Sequence, residues 1–288
     1  MKTKTILTIS VLTVLFLSCE KEVNLDFNHE SKPCINCVLN PDSLIHAHLS
    51  FSGALNHQGD LVPVEHASIL LYENDEFVGE LKTQNNGHYK LNFKPKAGGT
   101  YNIEVQLDGY KTITASTSVP DDPDITYKKD TIEITDHLNR PIFDMNVSLN
   151  DKTGKDFYWL YETWTIGGRN YGGANHEVNA PFVDDFNRTF ETDTKYGFTH
   201  FLQIRLTDEG FDGQVMEFTI PDLFDRTEYQ AQHFLNADEH YDKYIKTTII
   251  NKMKEDSELP FYEPVQIYSN VENGYGIFGS CSITTVKY

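Results

Sequence analysis

The sequence predicts a mostly β protein, with an N-terminal immunoglobulin-like or prealbumin-like β-sandwich followed by a second β-rich domain with one α-helical insertion. Aromatic residues, which favour strands, make up 12% of the 288 residues. Apolar and polar residues alternate in short runs that are separated by Gly, Asn and Asp turns. Only near residues 236–256 do the apolar residues change to helical spacing.

The first 18 residues predict a secretory signal peptide that ends at a lipoprotein cleavage site. Lys2 and Lys4 precede an apolar run over 6–17, and Ser18 stands directly before Cys19. A basic start, a short apolar core and a small residue before the cut are typical of such a signal. The four residues that end at Cys19 resemble a bacterial lipobox, which implies cleavage before Cys19 and diacylation of that cysteine. An ordinary signal peptide followed by an incidental cysteine is the alternative.

The charge of the chain excludes one class of partner. Removing Lys2 and Lys4 with the signal leaves 22 basic and 43 acidic residues, a net charge of −21. A surface this acidic repels phosphate backbones, so nucleic-acid binding is excluded. It also repels anionic headgroups. No later stretch of the sequence approaches the roughly 20 apolar residues of a membrane helix, which leaves the lipid as the predicted anchor. Cationic ligands or a basic rim on a protein partner are compatible with this charge, as is simple solubility outside the cell.

The chain divides into five predicted segments. About seven short strands follow one another before Pro120, at the spacing of a β-sandwich. Asn85-Asn86-Gly87 marks a hairpin between two of them. The segments are a signal peptide (1–18), a lipidated tether (19–32), a β-sandwich domain (33–120), a linker (121–124) and a β-rich C-terminal domain (125–288).

The C-terminal domain is predicted from a second series of strands and one helix. Its candidate strands are Thr131–Thr135, Phe143–Leu149, Phe157–Ile166, Thr199–Leu206 and Val215–Ile220. The Gly- and Asn-rich residues 167–197 predict one or two long loops. We expect a helix near 236–256 that starts at Asn236, ends before Pro260 and packs on the sheet.

Three cysteines remain after Cys19. Cys34 and Cys37 lie on a predicted strand, where positions three apart face opposite sides, so we expect neither a zinc site nor a redox pair. Buried free thiols are the expectation. In an exported chain, a disulfide between one of this pair and Cys281 stays open as an alternative.

Two histidines share one face of a predicted strand, because His46 and His48 stand two positions apart. Two imidazoles at this spacing can bind a metal ion. Ile45, Ala47 and Leu49 occupy the opposite face, which is the one expected to face the core. We therefore expect exposed, unliganded histidines, and we predict no metal and no cofactor.

Aromatic residues crowd one candidate strand and the Gly-rich segment after it. We predict a ligand platform from Trp159, Tyr161, Trp164 and Tyr171, because rings beside a polar loop stack on sugars or flat ligands. Alternation places Trp159 and Tyr161 on one face of the strand and Trp164 on the other. One face must be core, and the other is then the ligand platform or a contact with the first domain.

Catalytic motifs are missing from the sequence. It contains neither a Gly-x-Ser-x-Gly elbow nor a His-Glu-x-x-His pair. The acidic pairs Asp184-Asp185 and Asp208-Glu209 have the chemistry of a glycosidase, but a chain this acidic contains such pairs by chance. A non-enzymatic protein is therefore predicted.

Several segments resemble a known family. The most specific are Ser269-Asn270-Val271 and Gly274-Tyr275-Gly276-Ile277-Phe278-Gly279, close to the C-terminus. Upstream, Tyr72 ends an Ala-x-Ile-x-Leu-Tyr run. Together with the lipobox, these segments resemble the Bacteroidota lipoproteins called domain of unknown function 4249, over nearly the whole mature chain.

This resemblance implies a role but no activity. Such proteins are similar to accessory lipoproteins found alongside TonB-dependent outer-membrane receptors, which implies capture or presentation of an unknown small ligand at the cell surface. A surface hydrolase acting on an exported polymer is one alternative, and it requires carboxylates that converge in one cleft of the second domain with raised pKa. A structural or adhesive lipoprotein is the other, and it requires no concave aromatic site.

Overall fold

The computed structural model describes residues 29–54, 59–135, 141–173, 178, 180–188, 203–224, 229–255 and 265–287. The predicted signal peptide, Cys19 and most of the tether lie outside these residues. In the part of the chain that is described, no helix is long and apolar enough to cross a membrane.

The protein is mostly β, as the sequence predicted, and 54% of the described residues lie in strands. The N-terminal strands are β1 (Pro33–Leu39), β2 (Ile45–Phe51), β3 (Ser68–Glu73), β4 (Glu76–Thr83), β5 (His88–Leu91), β6 (Thr100–Gln106) and β7 (Ile113–Ser118). The next elements are β8 (Asp124–Thr135), β9 (Pro141–Asn150), β10 (Phe157–Ile166), β11 (Arg169–Gly173), the short helix α1 (Asp185–Arg188) and β12 (Ile204–Thr207). The last are β13 (Val215–Phe224), β14 (Gln230–Ala237), α2 (Glu239–Glu255) and β15 (Tyr275–Lys287).

Strands β1 to β7 form the predicted seven-strand sandwich. Strand β4 pairs with β3 along most of its length and with β5 at Lys82 and Thr83, so the sheet folds over on itself at this strand. The two layers enclose one apolar core, in which Ile35 and Leu49 from one layer meet Ile69 from the other. Alternation along β2 buries Ile45, Ala47 and Leu49 to 3% exposure or less and turns His46 and His48 toward the other face.

Strand β15 joins the two halves of the molecule. Its first half pairs in parallel with β1, from Tyr275 to Ser280, and its second half pairs antiparallel with β14. The order of strands is therefore β11-β10-β14-β15-β1-β2-β5-β4-β3-β6-β7, with β12 added at β10. One continuous sheet spans the boundary predicted at 121–124.

The predicted linker is docked on this joining strand. The Ser282 hydroxyl donates to the Pro120 carbonyl at 2.6 Å, and the Thr284 hydroxyl donates to the Pro123 carbonyl at 2.7 Å. Pro123 is buried, while Asp121 keeps its side chain exposed. The segment is thus acidic and solvated on one side and fixed to β15 on the other.

A second core lies between β10–β14 and a separate three-stranded sheet of order β13-β9-β8. Met145 and Phe218 from the small sheet pack with Leu160 and Phe234 from the large one. Helix α2 covers the opposite face of β10 and β14, where Ile245 joins a third apolar cluster. The helix therefore packs on the sheet, as the sequence predicted.

The helix begins later than predicted. Its cap is Asp238, whose carboxylate accepts hydrogen bonds from the backbone N–H groups of Tyr241 at 3.0 Å and His240 at 3.3 Å. Burial raises the pKa of Asp238, and the N–H groups of Ser280 and Tyr241 oppose that shift. Asn236, the predicted start, lies instead in β14 and donates its amide to Asp156 at 2.6 Å.

The loop predicted from residue 167 is wrong over its first part. Gly167 and Gly168 adopt positive φ values of 58° and 73°, which makes a two-residue turn between paired strands. Residues 169–173 therefore form β11, which pairs with β10 from Ile166↔Arg169 to Glu162↔Gly173. Most of 174–197 lies outside the described residues.

Candidate ligand-binding groove

A groove of about 440 Å³ lies on the outer face of the N-terminal sandwich. Alternation along β6 buries Ile103 and turns Asn102 and Glu104 outward to form part of its floor. Thr114 and Ser116 of β7 form the rest of the floor. The groove is therefore built on regular strands that the core holds in place.

The walls come from two distant parts of the chain. Tyr72 and Asp75 line one side, at the β3–β4 turn, while Asn270 and Glu272 line the other. Glu272 forms an isolated bridge with Thr114 of β7.

Asn270 fixes the second wall. Its amide donates to the carbonyls of Ser116 at 3.1 Å and Phe278 at 2.8 Å, and its own oxygen accepts from the Phe278 N–H at 3.1 Å. The wall is therefore tied to both β7 and β15. Tyr72 and Asn270, which both lie in segments that carried the family resemblance, line the same groove.

Polar side chains in the groove are linked in pairs. The Tyr72 hydroxyl donates to Glu104 Oε2 at 3.4 Å, Asn102 donates to Asp75 Oδ1 at 3.2 Å, and the Thr114 hydroxyl donates to Glu272 Oε2 at 3.3 Å. Partial burial and the neighbouring Glu104 carboxylate raise the pKa of Tyr72, so its hydroxyl stays a donor at neutral pH.

The groove offers acceptors beside an aromatic rim. Asp75, Glu104 and Glu272 contribute three carboxylates, and no Lys or Arg lies among the described residues that line it. Phe77, which is 61% exposed, packs edge-on against Tyr72 with ring centroids 5.7 Å apart. Such a site suits a ligand that brings amine or hydroxyl donors and an apolar face.

The predicted aromatic platform is divided between two faces of β10. Trp159 is 1% exposed and packs beneath α2, where its indole N–H donates to Asp242 Oδ1 at 3.0 Å. Tyr161 lies on the same face and stacks on His233 at 4.7 Å. Trp159 therefore belongs to the third apolar cluster, with Tyr161 packed against it, and neither ring forms an open platform.

The other two platform residues do meet. Trp164 lies on the opposite face and stacks on Tyr171 of β11 at 5.9 Å with an interplanar angle of 12°. They are cross-strand partners, and Tyr171 is 44% exposed. The structure thus brings together two of the four predicted residues, on the side of β10 away from α2.

In each of the two acidic pairs singled out in the sequence, one aspartate makes a structural contact. Asp184 forms an ion pair with the buried Arg205, which also binds Asp242 through two nitrogens at 2.7 and 3.2 Å. Burial lowers the pKa of Arg205, but the hydrogen bonds and charges of Asp242 and Asp184 outweigh it and raise that pKa. Asp208 accepts the backbone N–H of Asp156 at 2.8 Å.

A group of carboxylates that sequence reasoning missed lies at one end of β10. Burial raises the pKa of Asp151, although the Tyr158 hydroxyl and the Gly213 N–H both donate to its oxygens at 2.8 Å. Burial also raises the pKa of Asp156, which lines a second cavity of about 280 Å³. Asp151 and Asp208 hold the surrounding loops through backbone N–H donors, and Asp156 accepts the side-chain amide of Asn236, roles that the sequence does not show.

The three cysteines are free thiols, so the disulfide that the sequence left open is not formed. Cys37 is buried in the sandwich core, whereas Cys34 lies half-buried on the opposite face of β1. Within the described ranges, no group of three or more His, Cys, Asp or Glu side chains is arranged to hold a metal ion.

The sheets, the helix and the groove define a mostly β protein built on a β-sandwich. Residues 20–287 match the family model described as "Domain of unknown function (DUF4249)", and the chain belongs to that family. No curated protein matches the sequence. Among solved structures, the collagen adhesin (CNA) from S. aureus is similar at 7% identity and a TM-score of 0.20, over 89% of this chain and 96% of that chain. A similarity of this size gives no information about the function of this chain.

Proposed function

We propose that this chain is a non-enzymatic lipoprotein, anchored in the outer membrane through Cys19 and exposed at the cell surface, that captures a small ligand for a TonB-dependent nutrient-uptake receptor. The observation that carries the proposal is the groove on β3, β6 and β7. It combines three carboxylates and a tyrosine donor on regular strands, beside the exposed ring of Phe77, which packs on Tyr72. Preformed sites of this kind hold a ligand without large rearrangement.

The charge of the chain supports a receptor with a basic rim. A net charge of −21 after removal of the signal would attract such a rim over about 10 Å at 0.1 M salt. At 1 M salt this range shrinks to about 3 Å, so the complex should weaken as salt is added. A partner held mainly by apolar contacts would not respond in this way.

The test is a tagged pull-down of the full-length protein from gently solubilised outer membrane, with mass spectrometry of the proteins that co-purify. We expect a TonB-dependent barrel in stoichiometric amount, and less of it at high salt. Recovery of this protein alone, under detergents that preserve other receptor complexes, would contradict the proposal. A Cys19→Ala variant tests the anchor separately, because mass spectrometry of the intact protein should find acyl chains on the wild type and none on the variant.

The groove is tested by native mass spectrometry of the purified protein for bound small molecules. The double variant Glu104→Gln/Glu272→Gln removes two groove carboxylates without changing side-chain size. We expect this variant to be purified without the bound small molecule. Glu209→Gln/Glu217→Gln removes the same charge from exposed positions outside the groove and should keep it. Equal retention by both double variants would place the ligand elsewhere.

One observation favours a surface hydrolase as a second candidate. Asp156 has a raised pKa, as a general acid requires, and it lines a cavity with Tyr158 and Asp124. If this candidate is correct, the wild-type protein releases reducing ends from exported polysaccharides and Asp156→Asn does not. Absence of release by the wild type would remove this candidate.

A further inference from the structure

Two imidazole rings are in contact on the outer surface of the sandwich, away from the groove. His48 of β2 and His88 of β5 are cross-strand partners, so both side chains leave the same face of the sheet. Their ring centroids lie 4.7 Å apart with an interplanar angle of 50°. His48 is half-buried and His88 is exposed, so solvent reaches the pair.

One nitrogen of His48 faces the backbone of the neighbouring turn. The Asn86 carbonyl lies beside the ring and favours a proton on that nitrogen. Histidines that bind metals usually donate their second nitrogen in this way, since such a bond fixes the tautomer and the ring orientation. The remaining nitrogen of His48 is then the one available to a metal ion.

The frame around the pair is tightly built. Asn86 belongs to the predicted hairpin, in which Asn85, Asn86 and Gly87 all have positive φ. The Leu49 N–H donates to the Gly87 carbonyl at 2.8 Å, and a Cβ on Gly87 would lie 2.3 Å from the Leu49 carbonyl oxygen. This contact leaves no room for the hairpin to move toward β2, so the two rings are preorganised.

His46, the partner suggested by sequence spacing, is less suitable. It shares the face of His48, but its cross-strand partner on β5 is Lys90, whose positive charge opposes a bound cation. On the other side of His48, the partner on β1 is Asn36. Asn36, His48 and His88 are thus cross-strand neighbours on three adjacent strands. This row offers two imidazoles and an amide, and it contains no basic side chain.

We infer that His48 and His88 form a bis-imidazole site for a divalent transition-metal ion, with Cu²⁺ bound more tightly than Ni²⁺ or Zn²⁺. Imidazole nitrogen suits these ions, and Cu²⁺ heads the order of affinities for a given nitrogen site. Two protein ligands leave the other positions to water or to an exchangeable ligand. The site is independent of the groove and of the proposed uptake role.

The experiment is a Cu²⁺ titration of the full mature protein, followed by calorimetry and by electron paramagnetic resonance. We expect one Cu²⁺ per chain with two imidazole nitrogens as ligands. His48→Asn and His88→Asn should each weaken binding by at least about tenfold, because even residues behind the ligands cost that much. His46→Asn is the matched control and should bind as the wild type does.

A second measurement needs no variant. Sub-stoichiometric Cu²⁺ should broaden the imidazole ¹⁵N signals of two of the 11 histidines before the others. Assignment of these two signals to His48 and His88 supports the site. Unchanged affinity in both single variants, equal loss in His46→Asn, or earlier broadening of other histidines would each overturn it.

Discussion

A Cβ atom on Gly276 would lie 1.9 Å from the carbonyl oxygen of Ile35. The two residues are Cα partners in the parallel pairing of β15 with β1. Gly276 has a φ of +106°, which side chains rarely adopt. This glycine therefore allows the last strand of the chain to approach the first strand, and that pairing joins the two halves of the sheet.

We expect Gly276→Ala to lower the free energy of unfolding by at least ~3 kcal/mol, because backbone atoms on β1 must move as well as the new side chain. Gly109→Ala is the matched control, since Gly109 has a φ of +82° but a Cβ added there would meet open space, with no neighbouring atom within 4 Å. It should cost only about 1 kcal/mol, which is the cost of the backbone conformation alone. Urea denaturation measures both, and equal costs would show that the close approach is unimportant.

The glycines of this segment show that a family motif can be recognised in the sequence although the elements that it contacts cannot. Gly279 also lies in close contact, since a Cβ there would be 2.8 Å from the Cβ of Tyr241 on α2. The glycines of β15 therefore allow close approach of both the strand β1 and the helix α2. The sequence carries the motif at 274–279, but it does not show that β1, at the other end of the described chain, is the strand it meets.

Local patterns predicted those elements that have one face buried. The alternation over Ile45–Phe51 corresponds to β2, and the candidate strand Phe157–Ile166 has the same bounds as β10. Strand β14 was missed because it is buried almost throughout while Gln230, Gln232 and Asn236 supply polar side chains inside. A strand covered on both faces shows no alternation between apolar and polar residues.

The sites depend on contacts that no local pattern contains. Thr114 and Glu272 meet in the groove although 158 positions separate them. Alternation did place Trp159 and Trp164 on opposite faces of β10, but it could not show that α2 covers the first. Sequence spacing paired His48 with His46, whereas the ring that contacts His48 in the structure is that of His88 on another strand.

Asp242→Asn tests the buried ion pair beneath α2. Arg205 is 6% exposed and Asp242 3% exposed, so the variant leaves a buried guanidinium with Asp184 as its remaining described carboxylate. Removing one partner of a buried pair costs ~3–5 kcal/mol, and we expect a loss in this range by urea denaturation.

Glu239→Gln is the control for that variant. Glu239 pairs with Lys243 at 3.0 Å one turn apart on the exposed side of the same helix. An exposed pair of this kind contributes about 0–1 kcal/mol, so the free energy of unfolding should hardly change. A similar loss in both variants would show that the burial of the Arg205 pair adds nothing.

The cysteines should differ in their reaction with a thiol reagent. Burial raises the pKa of Cys37 and of Cys281 to about 12, and less complete burial raises that of Cys34. Because the thiolate is the nucleophile, the folded protein at pH 8 should label first at Cys34, and faster as the pH rises. Peptide mass spectrometry measures this, with Cys34→Ser as the control that removes the early label. Fewer than three reactive thiols after unfolding without reductant would reveal a disulfide.

Asp156 should make stability depend on pH. Burial is the main cause of its raised pKa, and the nearby Asp151 and Asp208 charges add to it, while the hydrogen bond from Asn236 opposes it. A carboxyl group whose pKa is higher in the folded state binds its proton more tightly there, so its contribution to stability is present at low pH. That contribution is lost as the pH rises from the unfolded value of about 3.9 through the raised folded value.

Asp156→Asn has no such proton, so its free energy of unfolding should increase relative to the wild type between pH 4 and pH 7. Urea denaturation at the two pH values checks this, and a difference that stays constant would contradict a raised pKa of Asp156 in the folded state.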